Sequence, residues 1–112
     1  MPIVIKSARE IELMREACRI TAGARTIARQ GIAAGVTTRE LDREIHRYIV
    51  KNGATPTFYR YGGFPGNACI SVNEEVIHGI PGSRVIHDGD IVSVDVGAKI
   101  HGFTGEIGRA HV

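Results

Sequence analysis

Apolar and polar residues recur with helical spacing through the first half of the chain. The run Ser7-Ala8-Arg9-Glu10 is typical of a capping box, in which the Ser hydroxyl and the Glu carboxylate satisfy free backbone N–H groups. It predicts one long helix from about Ser7 to Gln30, ended by Gly31. Apolar spacing predicts that one face of this helix is buried, formed by Ile11, Met14, Cys18, Thr21, Ala24 and Ala28.

A second, shorter helix is predicted after the run Thr37-Thr38-Arg39-Glu40, which also fits a capping box. Its buried stripe is formed by Leu41, Ile45, Tyr48 and Ile49. Gly53 can adopt the left-handed backbone conformation that commonly follows the last helical turn. The helix is therefore predicted to end just before this glycine.

Beyond Gly53 the pattern changes from helical spacing to short extended runs. Residues 57–59 are predicted to be extended, and strands are predicted at residues 68–72 and 91–98. Gly-rich and Pro-rich segments separate these runs. Because the helices come first and the strands follow, the fold class is α+β rather than alternating α/β.

Composition narrows the class of protein further. The chain has 112 residues, 43% hydrophobic and 23% charged, with a net charge of +2. This balance is typical of a globular domain and does not favour a disordered tail or a nucleic-acid-binding protein. Two widely separated cysteines indicate a reducing cytosol, and no apolar run approaches the ~20 residues of a membrane span.

Asp95 is the most informative charged residue, because it lies inside an apolar strand where an ionised carboxylate needs a compensating partner. The run Lys99-Ile100-His101-Gly102 predicts a type I turn with glycine at its fourth position. A strand folding back there would place residue 106 opposite Asp95, with Cβ atoms about 5 Å apart. Two carboxylates at that separation favour metal ions between them. A turn-capping or salt-bridged Asp95 is the alternative.

His78 and an aromatic cluster are further candidates. His78 is flanked by apolar residues, Gly and Pro, and could hydrogen-bond a substrate, bind a metal or simply be buried. Aromatic side chains on the Gly-rich loop, with a cysteine downstream, could form a pocket for an apolar group or part of the core. These residues are Phe58, Tyr59, Tyr61, Phe64 and Cys69.

Two long segments resemble the type I methionine aminopeptidases. They are Asn-Ala-Cys-Ile-Ser-Val-Asn-Glu-Glu-Val-Ile-His-Gly-Ile-Pro at residues 67–81 and Asp-Gly-Asp-Ile-Val-Ser-Val-Asp-Val-Gly at residues 88–97. Shorter matches occur at residues 11–17 and 35–38, and the resemblance covers about residues 3–105. It implies the N-terminal half of a pita-bread fold: two helices followed by antiparallel strands. In that fold two similar halves enclose a dinuclear metal site.

The resemblance also implies roles for individual residues. Asp95 corresponds to a metal ligand and His78 to the catalytic histidine that contacts substrate. Tyr61, Phe64 and Cys69, with Phe58 beside them, correspond to the pocket for a methionine side chain. The implied activity is removal of the initiator methionine from nascent polypeptides with a small second residue, in the cytoplasm and at the ribosome.

The implied cofactors are two divalent ions: Mn, Fe(II), Co or Zn. The intact enzyme is expected to be a monomer with no membrane or nucleic-acid partner. The family's second ligand is an Asp where this chain has Glu106, which keeps the position but changes the residue. The family's remaining ligands, a His and two Glu, lie in a second half outside residues 1–112, so the chain is expected to be inactive alone.

Residues 106–112 read as the in-frame translation of a common sequencing-library adapter and do not resemble the family. The sequence therefore predicts a catalytic half-domain at residues 1–105 and a non-native tail at residues 106–112, with Asp as the native residue at position 106. Two alternatives remain open. One is a catalytically silent protein of the same fold that binds a ribosome, RNA or a protein, and the other is a proline-directed metallopeptidase.

Overall fold

The computed structural model describes residues 3–112 and confirms the order of helices followed by antiparallel strands. Helices α1 (Ala8–Gly31) and α2 (Thr38–Lys51) are followed by strands β1 (Thr55–Pro56), β2 (Ala68–Val72), β3 (Val92–Ile100) and β4 (Phe103–His111). A short 3-10 turn, Tyr61–Gly63, interrupts the loop between β1 and β2. Within residues 3–112 no helix is long and apolar enough to cross a membrane.

Helix α1 begins at the predicted capping box. The Ser7 hydroxyl accepts from the Glu10 N–H at 3.2 Å, and the Ser7 N–H donates to Glu10 Oε1 at 2.9 Å. The predicted buried face is wrong at Ile11, which is 43% exposed, and at Cys18, which is also exposed. The buried residues of α1 are Ala17, Ile20, Thr21, Ala24 and Ala28.

Helix α2 buries most of the predicted stripe: Leu41, Ile45 and Ile49 are completely covered, and Tyr48 is partly buried. Thr37 caps its N-terminus by accepting from the Glu40 N–H at 3.1 Å. The reciprocal bond from the Glu40 side chain is not part of this cap, so only half of the predicted capping box forms. Gly53 has φ +81°, as expected for the residue beyond the last turn.

β3 is the central strand of the sheet. β2 pairs with the first part of β3 and β1 with its end, while β4 pairs along its whole length on the other edge. The segment at residues 57–59, predicted to be extended, instead bends away, and the extended pair is Thr55–Pro56.

The β3–β4 hairpin turns one step later than predicted. His101 and Gly102 form a two-residue loop with φ of +53° and +81°, and Ile100 pairs with Phe103. Positive φ at both central residues defines a type I′ turn, which matches the twist of the strands better than type I. Consequently Asp95 lies opposite Gly108 and not opposite residue 106, whose partner is Gly97.

The two faces of the sheet differ in what covers them. The even-numbered residues of β3, together with residues 68, 70 and 72 of β2, face the helices and form the core. Gly105 of β4 lies against α1 so closely that a Cβ there would meet Cys18 Cα at 2.8 Å. The opposite face carries polar side chains, among them Ser71, Ser93 and Asp95.

Candidate functional site

The strand register places a set of polar and small side chains on the face of the sheet away from the helices. Successive strand residues point to opposite faces, so paired positions of β2, β3 and β4 share this face. Several of them line an open cavity of about 360 Å³, together with the loop that contains His78. We call this the carboxylate cavity; the residues that define it are Cys69, His78, Asp95 and Glu106.

Asp95 lacks a compensating partner in this cavity. Its Oδ1 atom is buried and accepts no hydrogen bond from residues 3–112. Burial raises the pKa of the Asp95 carboxyl above its usual value, and the nearby charge of His78 opposes that shift. A turn-capping or salt-bridged Asp95 is therefore not what the structure shows. A cation bound at Oδ1 would supply the missing compensation.

Glu106 shares the cavity with Asp95, although the predicted direct pairing of the two residues is wrong. The actual register differs by two residues, and side chains alternate with a period of two, so Glu106 stays on the same face. It lies diagonally from Asp95, a relation that separates strand positions by about 7–8 Å. Long side chains can converge across that distance.

These two carboxylates are an incomplete donor set. Among residues 3–112 no three His, Cys, Asp or Glu side chains are grouped closely enough to hold a metal ion together. A metal held by Asp95 and Glu106 would need further ligands from elsewhere.

A second cavity of about 490 Å³ adjoins the first, and we call it the aromatic cavity. The Phe58 and Phe64 rings lie 6.2 Å apart at an angle of 57°, a tilted aromatic pair. Tyr59 lies elsewhere, 6.3 Å from the His46 ring. The structure brings together all five predicted residues of the substrate site, since this cavity is lined by Phe58, Tyr61, Phe64, Cys69 and His78.

Cys69 and His78 line both cavities and so mark their junction. Cys69 is 2% exposed, and burial raises the pKa of its thiol to about 11, with the charges of Asp95 and Asp42 adding to the effect. The thiol is therefore neutral near pH 7 and acts as a small apolar wall rather than a nucleophile. His78 is exposed and has a left-handed backbone with φ +56°.

The sequence did not reveal the role of Asp42. Its carboxylate accepts from the backbone N–H groups of Asn67 and Ala68 at 3.0 and 2.9 Å and from Asn67 Nδ2 at 2.8 Å. Burial raises the pKa of Asp42, opposed by these hydrogen bonds. The contacts fasten α2 to the start of β2, next to Cys69. The one indication of this role in the sequence is that Asp42 is a charged residue beside the buried stripe, between Leu41 and Ile45.

A larger cavity of about 690 Å³ lies along α2 and is lined by Arg43, Arg47 and Lys51, among others. It contains neither Asp95 nor His78. We locate the candidate site in the two smaller cavities because they bring an unpaired carboxylate and a histidine beside an apolar pocket.

The chain resembles known proteins in both sequence and fold. The model of metallopeptidase family M24 matches residues 12–112. Methionine aminopeptidase 1 of Bacillus subtilis (strain 168) is 51% identical over 104 residues, which are 93% of this chain and 42% of that protein.

Solved structures share the fold. The methionine aminopeptidase from Rickettsia prowazekii superposes with a TM-score of 0.95 at 32% identity, covering 98% of this chain and 44% of that one. The prolidase from Pyrococcus horikoshii OT3 gives 0.82 at 26% identity, covering 97% and 30%. The chain thus spans less than half the length of these relatives.

Proposed function

The chain belongs to metallopeptidase family M24, and from this we propose that it forms the N-terminal part of a methionine aminopeptidase. The proposed reaction is hydrolytic removal of the initiator methionine from nascent proteins whose second residue is small. One observation carries the proposal: an aromatic cavity and an unpaired carboxylate meet at His78 and Cys69.

Membership in a metallopeptidase family implies a divalent metal cofactor. We propose that Asp95 and the residue at position 106, which is Glu106 in this chain and Asp in the proposed native protein, are ligands in a site for two such ions, Mn, Fe(II), Co or Zn. The unpaired Oδ1 of Asp95 fits this role. When bound, such ions polarise a carbonyl group and lower the pKa of water. The Glu106 side chain is one methylene longer than that of Asp, so an ion bound to Glu106 would lie at a different position from one bound to Asp.

The aromatic cavity would receive the methionine side chain. Phe58 and Phe64 offer apolar ring surface, and the neutral Cys69 thiol offers a small polarizable wall for a thioether. A cavity of this kind holds an apolar side chain by burial and places the adjacent peptide near the carboxylate cavity. Tyr61, which is 77% exposed, lines the same cavity.

His78 is the proposed catalytic histidine. Its position at the junction of the two cavities would let its imidazole hydrogen-bond the peptide between the methionine side chain and the metal site. A hydrogen bond that strengthens as charge develops on the carbonyl oxygen lowers the barrier. The exposure of His78 in this chain leaves it free to make that contact.

The proposed division of the chain places residues 1–105 in the catalytic half-domain and residues 106–112 in a non-native tail. The sequence of the last seven residues is its only support. Strand β4 continues through this segment to His111, and the family match extends to residue 112. The complete enzyme is proposed to be a cytoplasmic monomer that acts on new polypeptides at the ribosome.

The test is to sequence the source gene beyond codon 105 and assay the protein it encodes on the tripeptide Met-Ala-Ser with each candidate metal. We expect Asp at position 106, a later His and two Glu in family context, and metal-dependent release of methionine. A gene that ends at Val112, or a complete protein that never releases methionine, would overturn the proposal.

A proline-directed peptidase is the second candidate, supported by the structural similarity to the Pyrococcus prolidase. The higher identity to the Bacillus methionine aminopeptidase and the Phe58–Phe64 pair favour the first. Cleavage of Ala-Pro but not of Met-Ala-Ser by the complete protein would select the second candidate.

A further inference from the structure

The loop that carries His78 is tied to strand β2 by its neighbour, Gly79. The Ile70 N–H donates to the Gly79 carbonyl at 2.9 Å. In return the Gly79 N–H donates to the Ser71 hydroxyl oxygen at 2.9 Å. Gly79 therefore makes one backbone bond and one side-chain bond to consecutive residues of β2, and the second depends on the Ser71 hydroxyl.

This contact is too close for a side chain at position 79. A Cβ built on Gly79 would lie 2.1 Å from the Ile70 carbonyl oxygen and 2.7 Å from Ser71 Cα. Both nearest atoms belong to the backbone, which cannot move aside as the end of a side chain could. Glycine is thus required here by close approach of two backbones.

His78 precedes Gly79 and has φ +56°, in the left-handed region that residues with a Cβ avoid. Such a conformation persists only where surrounding contacts fix it. Within the described part of the chain, the fixed point nearest to His78 is the pair of bonds at Gly79. Ser71 is 3% exposed, so its bond to Gly79 is shielded from competing water.

We propose that Ser71 is a positioning residue that holds His78 at the junction of the two cavities by binding the Gly79 N–H. Ser71 also lines the carboxylate cavity, but its proposed action is through the backbone of Gly79 and not on the peptide. The catalytic role of His78 rests on the proposed function. The geometric claim, that Ser71 fixes the position of His78, rests only on the hydrogen bonds at Gly79.

The geometric claim is tested by NMR on the complete protein encoded by the source gene, comparing Ser71→Ala with Ser71→Thr, which keeps the hydroxyl. A left-handed residue gives a strong cross-relaxation peak between its own amide and α protons. In Ser71→Ala we expect roughly tenfold faster hydrogen exchange at the Gly79 amide and a weaker peak of this kind at His78. Ser71→Thr should restore both signals.

Ser93→Ala is the matched control, because Ser93 is the cross-strand partner of Ser71 on β3. It should leave Gly79 exchange unchanged. If Ser71→Ala loosens β2 and β3 throughout, Ser71→Cys replaces it, since a thiol of similar shape is a poor acceptor. Unchanged exchange at Gly79 and an unchanged His78 peak in a folded Ser71 variant would overturn the proposal.

Kinetics of the complete enzyme on Met-Ala-Ser then separate this inference from the proposed function. We expect Ser71→Ala to lower kcat roughly tenfold while KM changes less than threefold, because orientation is lost and side-chain binding is kept. Ser71→Thr should recover most of kcat. A wild-type protein without peptidase activity would refute the proposed function, yet leave the NMR result on Ser71 standing. A Ser71→Ala enzyme with normal kcat would refute the positioning role.

Discussion

The two faces of strand β3 are built for different purposes. Val92, Val94, Val96 and Ala98 are at most 1% exposed beneath the helices, whereas Ser93 and Asp95 on the other face remain partly exposed. Burial of the first face stabilises the fold, whereas the second face leaves a carboxylate oxygen without a hydrogen-bond partner among residues 3–112. Burial of one face of β3 thus offsets the cost of a buried carboxylate oxygen without a hydrogen bond on the other face.

The largest expected effect comes from Asp95→Asn in the complete enzyme. If Asp95 is a metal ligand, as proposed, losing its charge should lower kcat/KM on Met-Ala-Ser by at least about a thousandfold. Stability of the metal-free protein should not fall, because the substitution removes an uncompensated buried charge. Activity is measured by methionine release and stability by urea unfolding. Retained activity together with a large loss of stability would mean that Asp95 stabilises the fold and does not bind a catalytic metal.

The core face should respond in the opposite way. Ile70→Ala removes a side chain that is 1% exposed on β2, and we expect it to lower the free energy of unfolding by about 2–4 kcal/mol. Ser93→Ala on the opposite face should change it by less than about 0.5 kcal/mol. Urea unfolding of both variants in parallel tests the comparison. Similar losses in the two variants would mean that both faces contribute equally to stability.

Cys69 extends the comparison to pH. Burial and nearby negative charge raise its pKa from 9.0 to about 11, so its thiolate fraction at pH 8 should be roughly a hundredfold below that of an ordinary thiol. Iodoacetamide should therefore modify the exposed Cys18 far faster than Cys69, as read by peptide mass spectrometry.

The raised pKa of Cys69 also makes the stability of the fold depend on pH. The folded state keeps the Cys69 proton to a higher pH than the unfolded chain does. The stabilisation from this group is therefore fully present below pH 9.0 and is lost as the pH rises toward about 11. Equal alkylation rates at both cysteines would contradict the buried placement of Cys69.

The smallest effect is expected at the hairpin turn that sets the register between the faces. Gly102 has φ +81°, so Gly102→Ala should cost about 1 kcal/mol in unfolding free energy. Gly102→Asn should cost less, because Asn tolerates the left-handed conformation better. Thermal melting resolves the difference. Equal melting temperatures for all three chains would mean that the turn does not constrain the hairpin.

Periodicity predicted most of the layer structure and less of the site. Both helices, the Ser7 cap, β2 and β3 follow from local patterns, since caps and alternation act over a few residues. The predicted turn is one residue too early, because Gly102 fits both the fourth position of a type I turn and the third position of a type I′ turn. The exposure of Ile11 and Cys18 depends on which surfaces pack against α1, and no local pattern specifies those surfaces.

The residues of the site illustrate the same limit. The cavity-lining positions of Phe58, Phe64, Cys69 and His78 were predicted through resemblance, and the structure brings them together. The contacts of Asp42 with Asn67 and of Ser71 with Gly79 join residues 25 and 8 positions apart. Such contacts depend on the three-dimensional path of the chain, so spacing in the sequence could not reveal them.

The close approach of α1 to Gly105 has a consequence for how mutations in this chain would be interpreted. A Cβ at position 105 would press on the helix backbone at Ala17 and Cys18, and the strand would have to move away from the helix. The next residue along that strand is Glu106 in the carboxylate cavity. In a growth selection that scores every substitution, Gly105 would therefore rank with the proposed metal ligands, although it lines neither of the two cavities of the candidate site. Intolerance to mutation at this site would record a helix pressing on a strand.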